Sequence, residues 1–417
     1  MNRKTLIISL SITTVVLIVC TVILYIVYIN KNRKDPVEIP DQKVTYLVST
    51  GNFEIDIFRQ SYLDSTKPNT VISPFSIKLA MSMATEGANG YTLEELQDIL
   101  QVTVGSKDAF KTLLEDINSN EDITINIANS VWSKQGYQFK QTYIDLLTNY
   151  YQAEARELDF DEPSSKDVIN AWVDRKTEGK IKKIVDSIDK THLMFLINAI
   201  YFNADWKEQF KEEFTQVRPF TLEDGTKVNI DTMHMSSELK YYESNDFQAV
   251  ELPYGKESRF VMRVYLPRED KELRDFVSEL RVDNLTAWDG KFDSKSVNLA
   301  LPKFKIEYDM SLKETLQKLG IKDAFLPGIA DFGEMVPISS KEIYIGDVKH
   351  KTYIDVSERG TEAAAVTSVE MAVTSMPLEE EKIYEMVVDR PFLFTIEDTQ
   401  NDLYLFMGTI LNPIGNM

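Results

Sequence analysis

Cysteine occurs once, at Cys20, so no intramolecular disulfide is available and compartment is left open. That cysteine lies inside a long apolar run, which leaves the rest of the chain without a thiol nucleophile. Histidine is almost as scarce: His192, His234 and His350 are all there are, and none belongs to a His-Glu-x-x-His zinc helix. No Gly-x-Ser-x-Gly elbow, no Gly-x-x-x-x-Gly-Lys-Ser/Thr phosphate loop and no Gly-x-Gly-x-x-Gly fingerprint occurs. These gaps remove the usual local frameworks of acyl transfer, zinc hydrolysis, nucleotide hydrolysis and dinucleotide binding, so no enzyme, cofactor or metal is expected. Positive charge is short as well. With 46 Lys and Arg against 66 Asp and Glu, the net charge is -20. A folded part of that charge lacks the basic surface that nucleic acid or anionic lipid requires.

What is present begins at the N-terminus. No charge interrupts Leu6 to Ile29, with Arg3 and Lys4 before the run and Lys31, Arg33 and Lys34 after it. As a helix it would be about 36 Å long, enough to cross a hydrocarbon core of about 30 Å. It ends in Tyr-Ile-Val-Tyr-Ile-Asn with no Ala-x-Ala, and Val19 is a poor neighbour for a lipidated Cys20. The expectation is an uncleaved single-pass anchor over residues 1–30 with the following domain exported, a cleaved secretory signal being the alternative. Residues 31–45, charged and holding two prolines, read as a linker. Nothing after them reads as a second linker or a repeat, so 46–417 is taken as one domain.

Helical periodicity appears near 47–63, 76–101, 141–152 and 169–181. Strand-like runs appear at 122–133, 247–254, 259–267, 296–308, 392–398 and 403–411. Helices come mainly early and strands mainly late, the order of an α+β fold.

The stretch "SERGTEAAAVTSVEMAVTSM", residues 357–376, fits neither group easily. Glu-Ala-Ala-Ala favours a helix, but Val366, Thr367, Val369, Val373 and Thr374 favour a strand. At period two, the odd positions Thr361, Ala363, Ala365, Thr367, Val369, Met371 and Val373 are uncharged, small first and larger later. Both charges, Glu362 and Glu370, fall on even positions. The segment therefore reads as a strand with one face fit for burial, and equally, on local pattern alone, as an exposed Ala-rich helix or a tolerant loop.

"ERGTEAAAVT" (358–367) resembles the reactive-loop hinge of serpins, the large protease inhibitors whose loop inserts into a sheet. So do "NTVISPFSIKLAMSMATEGANGYTLEELQDIL" (69–100), "INAWVDRKTEGKI" (169–181), "INAIYFNADWKEQF" (197–210), "VELPY" (250–254), "LPKFKIEYDMSLKETLQKLGI" (301–321), "DVKHKTYIDV" (347–356), "DRPFLFTI" and "LFMGTILNP" (both within 389–413), in family order and spacing. The resemblance implies a single large α+β domain, the serpin fold, with three β-sheets, eight or nine helices and an exposed reactive-centre loop. It implies a suicide substrate: a protease cleaves the loop, is held as an acyl-enzyme and is carried away as the hinge enters the central sheet. The hinge is then Glu358, Gly360, Thr361, Glu362, Ala363, Ala364, Ala365, Val366 and Thr367. Counting forward from Glu358 and Gly360 puts the reactive bond at Thr374–Ser375, with Val373 or Met371 as neighbouring choices; counting back from Pro391 would pick Glu380. A small β-branched Thr374 suits elastase-like or subtilisin-like serine proteases. Ser73, Ser76, Asn198 and His350 match the polar cluster beneath the opening strands, Trp206 the aromatic at the sheet top, and Glu358 with Lys303 an ion pair beside it. The helix that binds heparin in some members is acidic here, "TLEELQDIL" (92–100), so heparin does not fit. A monomer is expected. The alternative is a non-inhibitory member acting as a chaperone, carrier or storage protein.

Overall fold

The computed structural model of the chain describes residues 51–415, apart from 104, 122, 338–341 and 362–381. Among these residues the α-helices are α1 (Asn52–Asp64), α2 (Pro74–Gly87), α3 (Gly90–Leu100), α4 (Ser106–Asn118), α5 (Gln141–Tyr151), α6 (Ser165–Lys176), α7 (Leu273–Ser278), α8 (Val282–Asp289) and α9 (Lys313–Leu319). The strands before the middle of the chain are β1 (Asn69–Ile72), β2 (Ile123–Lys134), β3 (Glu154–Leu158), β4 (Met194–Asp205) and β5 (Gln216–Thr221). Then come β6 (Lys227–Glu243), β7 (Phe247–Pro253), β8 (Phe260–Pro267), β9 (Asp293–Pro302) and β10 (Phe304–Ser311). The last are β11 (Ile345–Ser357), β12 (Gly360–Thr361), β13 (Tyr384–Val387), β14 (Phe392–Asp398) and β15 (Leu403–Ile410).

One sheet has six strands in the order β10-β11-β12-β4-β2-β3. The other nine strands run β1-β15-β14-β8-β7-β6-β9-β13, with β5 on β6. The 17-residue β6 pairs with three strands of that second sheet along its length. Its start pairs with β5, its middle with β9, and Lys240–Glu243 with β7. Two sheets are therefore found among the described residues where three were expected, because β6 runs on from β5 and β9 to β7 and keeps the nine strands in one sheet. The architecture is α+β, although β1 to β3 lie between early helices rather than after them.

The six-stranded sheet is built around β4, "MFLINAIYFNAD", buried over nearly its whole length. Its odd residues Phe195, Ile197, Ala199 and Tyr201 pack into an outer cluster with Ile169, Trp172 and Val173 of α6. On the opposite face Asn198 reaches Ser76 in the first turn of α2. A strand apolar on both faces has no alternation to read, which is why this one gives no period-two signal. α2 begins there because Ser73 caps it, its hydroxyl accepting the Ser76 N–H at 3.2 Å, and Pro74 supplies a pre-set first residue.

Two sequence readings join elements that the fold separates. The 76–101 helix is two helices, broken where the Asn89 N–H leaves the helix for the Asp331 carbonyl at 2.8 Å. The 296–308 strand is β9 and β10, parted at Lys303, whose N–H donates to the Asp231 carbonyl. Lys303 stands at the crossing of the chain from one sheet to the other, and that brings its ammonium to the site below. The loop after Thr361 and the Leu6–Ile29 run lie outside the described residues, among which no helix is long and apolar enough to cross a membrane.

Candidate functional site

The centre of the six-stranded sheet is a seam. β4 and β11 run parallel and pair directly from Met194 with Ile345 up to Tyr201 with Tyr353. Above Tyr201 they part, and β12 lies between them. β11 ends at Ser357, the chain turns at Glu358–Arg359, and Gly360 and Thr361 run back antiparallel. Thr361 faces Val356 on one side and Ala204 on the other; Gly360 faces Ser357 and Asp205. Glycine is required at 360 by space. A Cβ there would lie 2.1 Å from the Ala204 carbonyl oxygen and 2.7 Å from the Asp205 Cα, both backbone atoms.

The turn is clamped from the side of β4. The Trp206 backbone N–H donates to the Arg359 carbonyl at 2.8 Å, its indole N–H to the Ser357 carbonyl at 2.9 Å, and the Phe210 N–H to the Glu358 carbonyl at 2.9 Å. The Glu358 carboxylate accepts from Lys303 Nζ at 2.8 Å and from the Thr215 hydroxyl at 2.7 Å. Burial alone would raise this carboxyl, but Lys303 and Thr215 hold it below the usual carboxylate range. The Thr361 hydroxyl, wholly buried, meets the Tyr254 hydroxyl at 2.6 Å beneath the sheet. Thr361 therefore points inward, as its odd position implies.

Lower on the seam, Asn129, Asn198 and His350 are register partners on β2, β4 and β11. The Ser73 backbone N–H donates to His350 Nε2 at 3.1 Å, so the ring proton sits on Nδ1 and is donated to Asn198 Oδ1. Asn198 Nδ2 in turn donates to the Ser76 carbonyl at 3.0 Å and to Asn129 Oδ1. His350 is fully buried, and burial pushes its pKa from 6.5 down to about 3, keeping the imidazole neutral. This hydrogen bond bridges the two strands that an inserting segment would have to separate.

The structure thus brings Ser73, Ser76, Asn198 and His350 together at mid-seam, and Glu358, Gly360, Thr361, Trp206 and Lys303 together at its top. Glu362, Ala363, Ala364, Ala365, Val366, Thr367, Thr374 and Ser375 lie outside the described residues. Sequence reasoning passed over Asn129, Thr215 and Tyr254. Asn129 carried a signal as a polar residue inside an apolar strand run, and Tyr254 ends the quoted "VELPY"; nothing local marks Thr215. α3, the helix set aside for heparin, exposes Glu94 and Asp98.

The sequence model of the family described as serpin (serine protease inhibitor) matches residues 48–413. This chain belongs to the serpin family. It is 33% identical to an uncharacterized serpin-like protein of Thermococcus kodakarensis over 87% of this chain and 84% of the relative. It is 31% identical to neuroserpin of Gallus gallus, over 90% and 92% of the two chains. The crystal structure of the thermophilic serpin tengpin in its native state superposes with a TM-score of 0.80 at 30% identity, covering 91% of this chain and 96% of that one. Serpins are protease inhibitors rather than enzymes.

The buried histidine ties stability to pH. The unfolded imidazole titrates near 6.5 and the folded one near 3, so the unfolded state binds the extra proton in between. The stabilisation is complete above pH 6.5 and is lost as pH falls toward 3, at about 1.4 kcal/mol per unit. His350→Gln should flatten that part of the profile. Denaturant unfolding of both proteins at pH 7 and pH 5 measures it; parallel profiles would show that His350 does not carry the effect.

Proposed function

We propose that this serpin inhibits serine proteases as a suicide substrate, by inserting its cleaved loop along the β4–β11 seam. The observation that carries the reading is β12: two residues of the loop's origin already lie between two parallel strands. A strand entering there runs antiparallel to both neighbours, and antiparallel pairing is the slightly stronger kind. Continuing the register is arithmetic. Six residues on from Thr361 is Thr367; six back from Ala204 is Asn198, and six back from Val356 is His350. Thr367, on the same face as Thr361, would arrive between the two side chains whose hydrogen bond it breaks. Its hydroxyl would there accept from His350 Nδ1 and donate to Asn198 Oδ1, so that neither buried group would be left unpaired. Ten residues on, Met371 reaches the level of Met194, the foot of the seam. The segment from Thr361 to Thr374 spans about 45 Å as a strand, which would carry a tethered protease from the sheet top to the opposite end.

With the reactive bond at Thr374–Ser375, the inhibitor should form denaturant-resistant complexes with elastase-like or subtilisin-like proteases and little with trypsin-like ones. Thr374→Arg should move it toward the latter. The mass of the released C-terminal peptide identifies the bond; trapping of trypsin by the unmodified protein after Lys382 or Arg390 would sink the Thr374 assignment.

Insertion itself is tested by melting. Cleavage near Thr374 should raise the midpoint sharply. Thr361→Arg should abolish the rise, because a charge would enter an apolar slot at a cost of several kcal/mol. That variant should be cut at Thr374–Ser375 yet release active protease. An unchanged wild-type midpoint after cleavage would favour a chaperone, carrier or storage role instead.

The Leu6–Ile29 run is proposed as a single-pass anchor that holds the domain, as a monomer, outside the cytoplasm, where a secreted or surface protease would meet it. Protease shaving of intact cells should then cut the loop. A mature N-terminus near residue 30 in the culture fluid would replace the anchor with a cleaved signal.

A further inference from the structure

The two sides of the hinge turn are held by different means. Ser357, Glu358 and Arg359 are fixed through their carbonyls by Trp206 and Phe210, as described above. Thr361, the first residue wholly inside the slot, has its side chain fixed by one hydroxyl, that of Tyr254 at 2.6 Å. The Tyr254 ring has little freedom to move away. It is stacked on Trp206 with centroids 4.3 Å apart and planes at 15°, and the Phe202 ring meets it at 69° and 5.1 Å. Both residues of the hydroxyl pair are buried, Tyr254 at 1% exposure and Thr361 at 0%. Burial also raises the phenol pKa well above its usual value, so the group stays a neutral hydroxyl.

A rigid side chain therefore presents one oxygen at one point under the sheet. In a strand a slip of one residue exchanges the two faces. A slip one way would bring Gly360 to that point, with no hydroxyl to offer; a slip the other way would bring the Glu362 carboxylate into an apolar site. Only Thr361 leaves the Tyr254 hydroxyl paired and nothing charged buried.

We infer that Tyr254 is a positioning residue for inhibition: its hydroxyl pins Thr361 as the first inserted residue and so sets the register in which the loop enters the sheet. This rests on the inhibitory reading given above. Insertion competes with hydrolysis of the acyl-enzyme. A hinge already in register starts at once, whereas an unpinned hinge exchanges between entered and withdrawn positions and must find its place after cleavage.

The test is Tyr254→Phe in the full-length protein, which keeps the ring stack and removes the oxygen. In the uncleaved protein, hydrogen exchange of the Gly360 and Thr361 amides should accelerate about fivefold, the factor one buried hydrogen bond is worth, while amides of the Met194–Tyr201 seam stay unchanged. With an elastase-like protease, more inhibitor should be consumed per protease trapped, while kcat/KM for loop cleavage holds. A merely structural role would lower the melting midpoint without moving that ratio. Thr361→Val alone should reproduce the faster exchange. Added to Tyr254→Phe it should recover part of the trapping, because no orphaned hydroxyl remains. Unchanged exchange at Gly360 and Thr361 overturns the inference, and so does faster exchange with an unchanged consumption ratio. If the wild type traps no protease, the inhibitory reading falls and the exchange measurement alone decides whether Tyr254 pins the hinge.

Discussion

The direct parallel pairing of β4 with β11 is the constraint on which the rest of the molecule depends. Two parallel neighbours present facing edges that a third strand, antiparallel to both, satisfies along their whole length. The hairpin after β11 already supplies the beginning of such a strand, because a tight turn makes β12 antiparallel to β11 and hence to β4. The sheet is closed below this point and parted above it. Between the parted ends lie the two residues of β12.

Polar chemistry at the seam follows from burial. His350 lies in a space that excludes charge, so it remains neutral, and its tautomer is set by the one backbone N–H that reaches it. A bond across the seam made by neutral partners costs little to exchange for another of the same kind. A buried ion pair at that place would not part so cheaply, since separating it leaves charge unpaired. The charged pair is placed instead at the top, where Lys303 and Glu358 border the turn. Lys303 owes its place to the passage of the chain from β9 to β10 between two sheets.

The apolar layers on both faces of β4 explain how the seam is held in place. α2 lies below and contributes Ser73 and Ser76; α6 lies above with Trp172 and Ile169. The sheet is thus supported from both sides. At the upper end Trp206 and Tyr254 stack on each other and hold the turn through their bonds to Ser357, Arg359 and Thr361.

The sequence by itself determined the class of fold and the alternation of residue types after Gly360. Ordered motifs from Asn69 to Pro413 resemble one family, and a period-two pattern from Thr361 to Val373 sorts uncharged from charged positions; both are local properties that a chain carries before it folds. The resemblance also pointed to Ser73, Ser76, Asn198 and His350; Asn198 interrupts an otherwise apolar run, whereas His350 stands between Lys349 and Lys351. The sequence did not show that Asn198 and His350 are register partners, that Thr361 reaches Tyr254, or that Thr215 and Asn129 belong to the same clusters. The partners in these contacts stand 69 to 152 positions apart. They meet only because β2, β4 and β11 pair in one register and the chain crosses at Lys303. Register is a property of strands already side by side, so tertiary structure alone decided it.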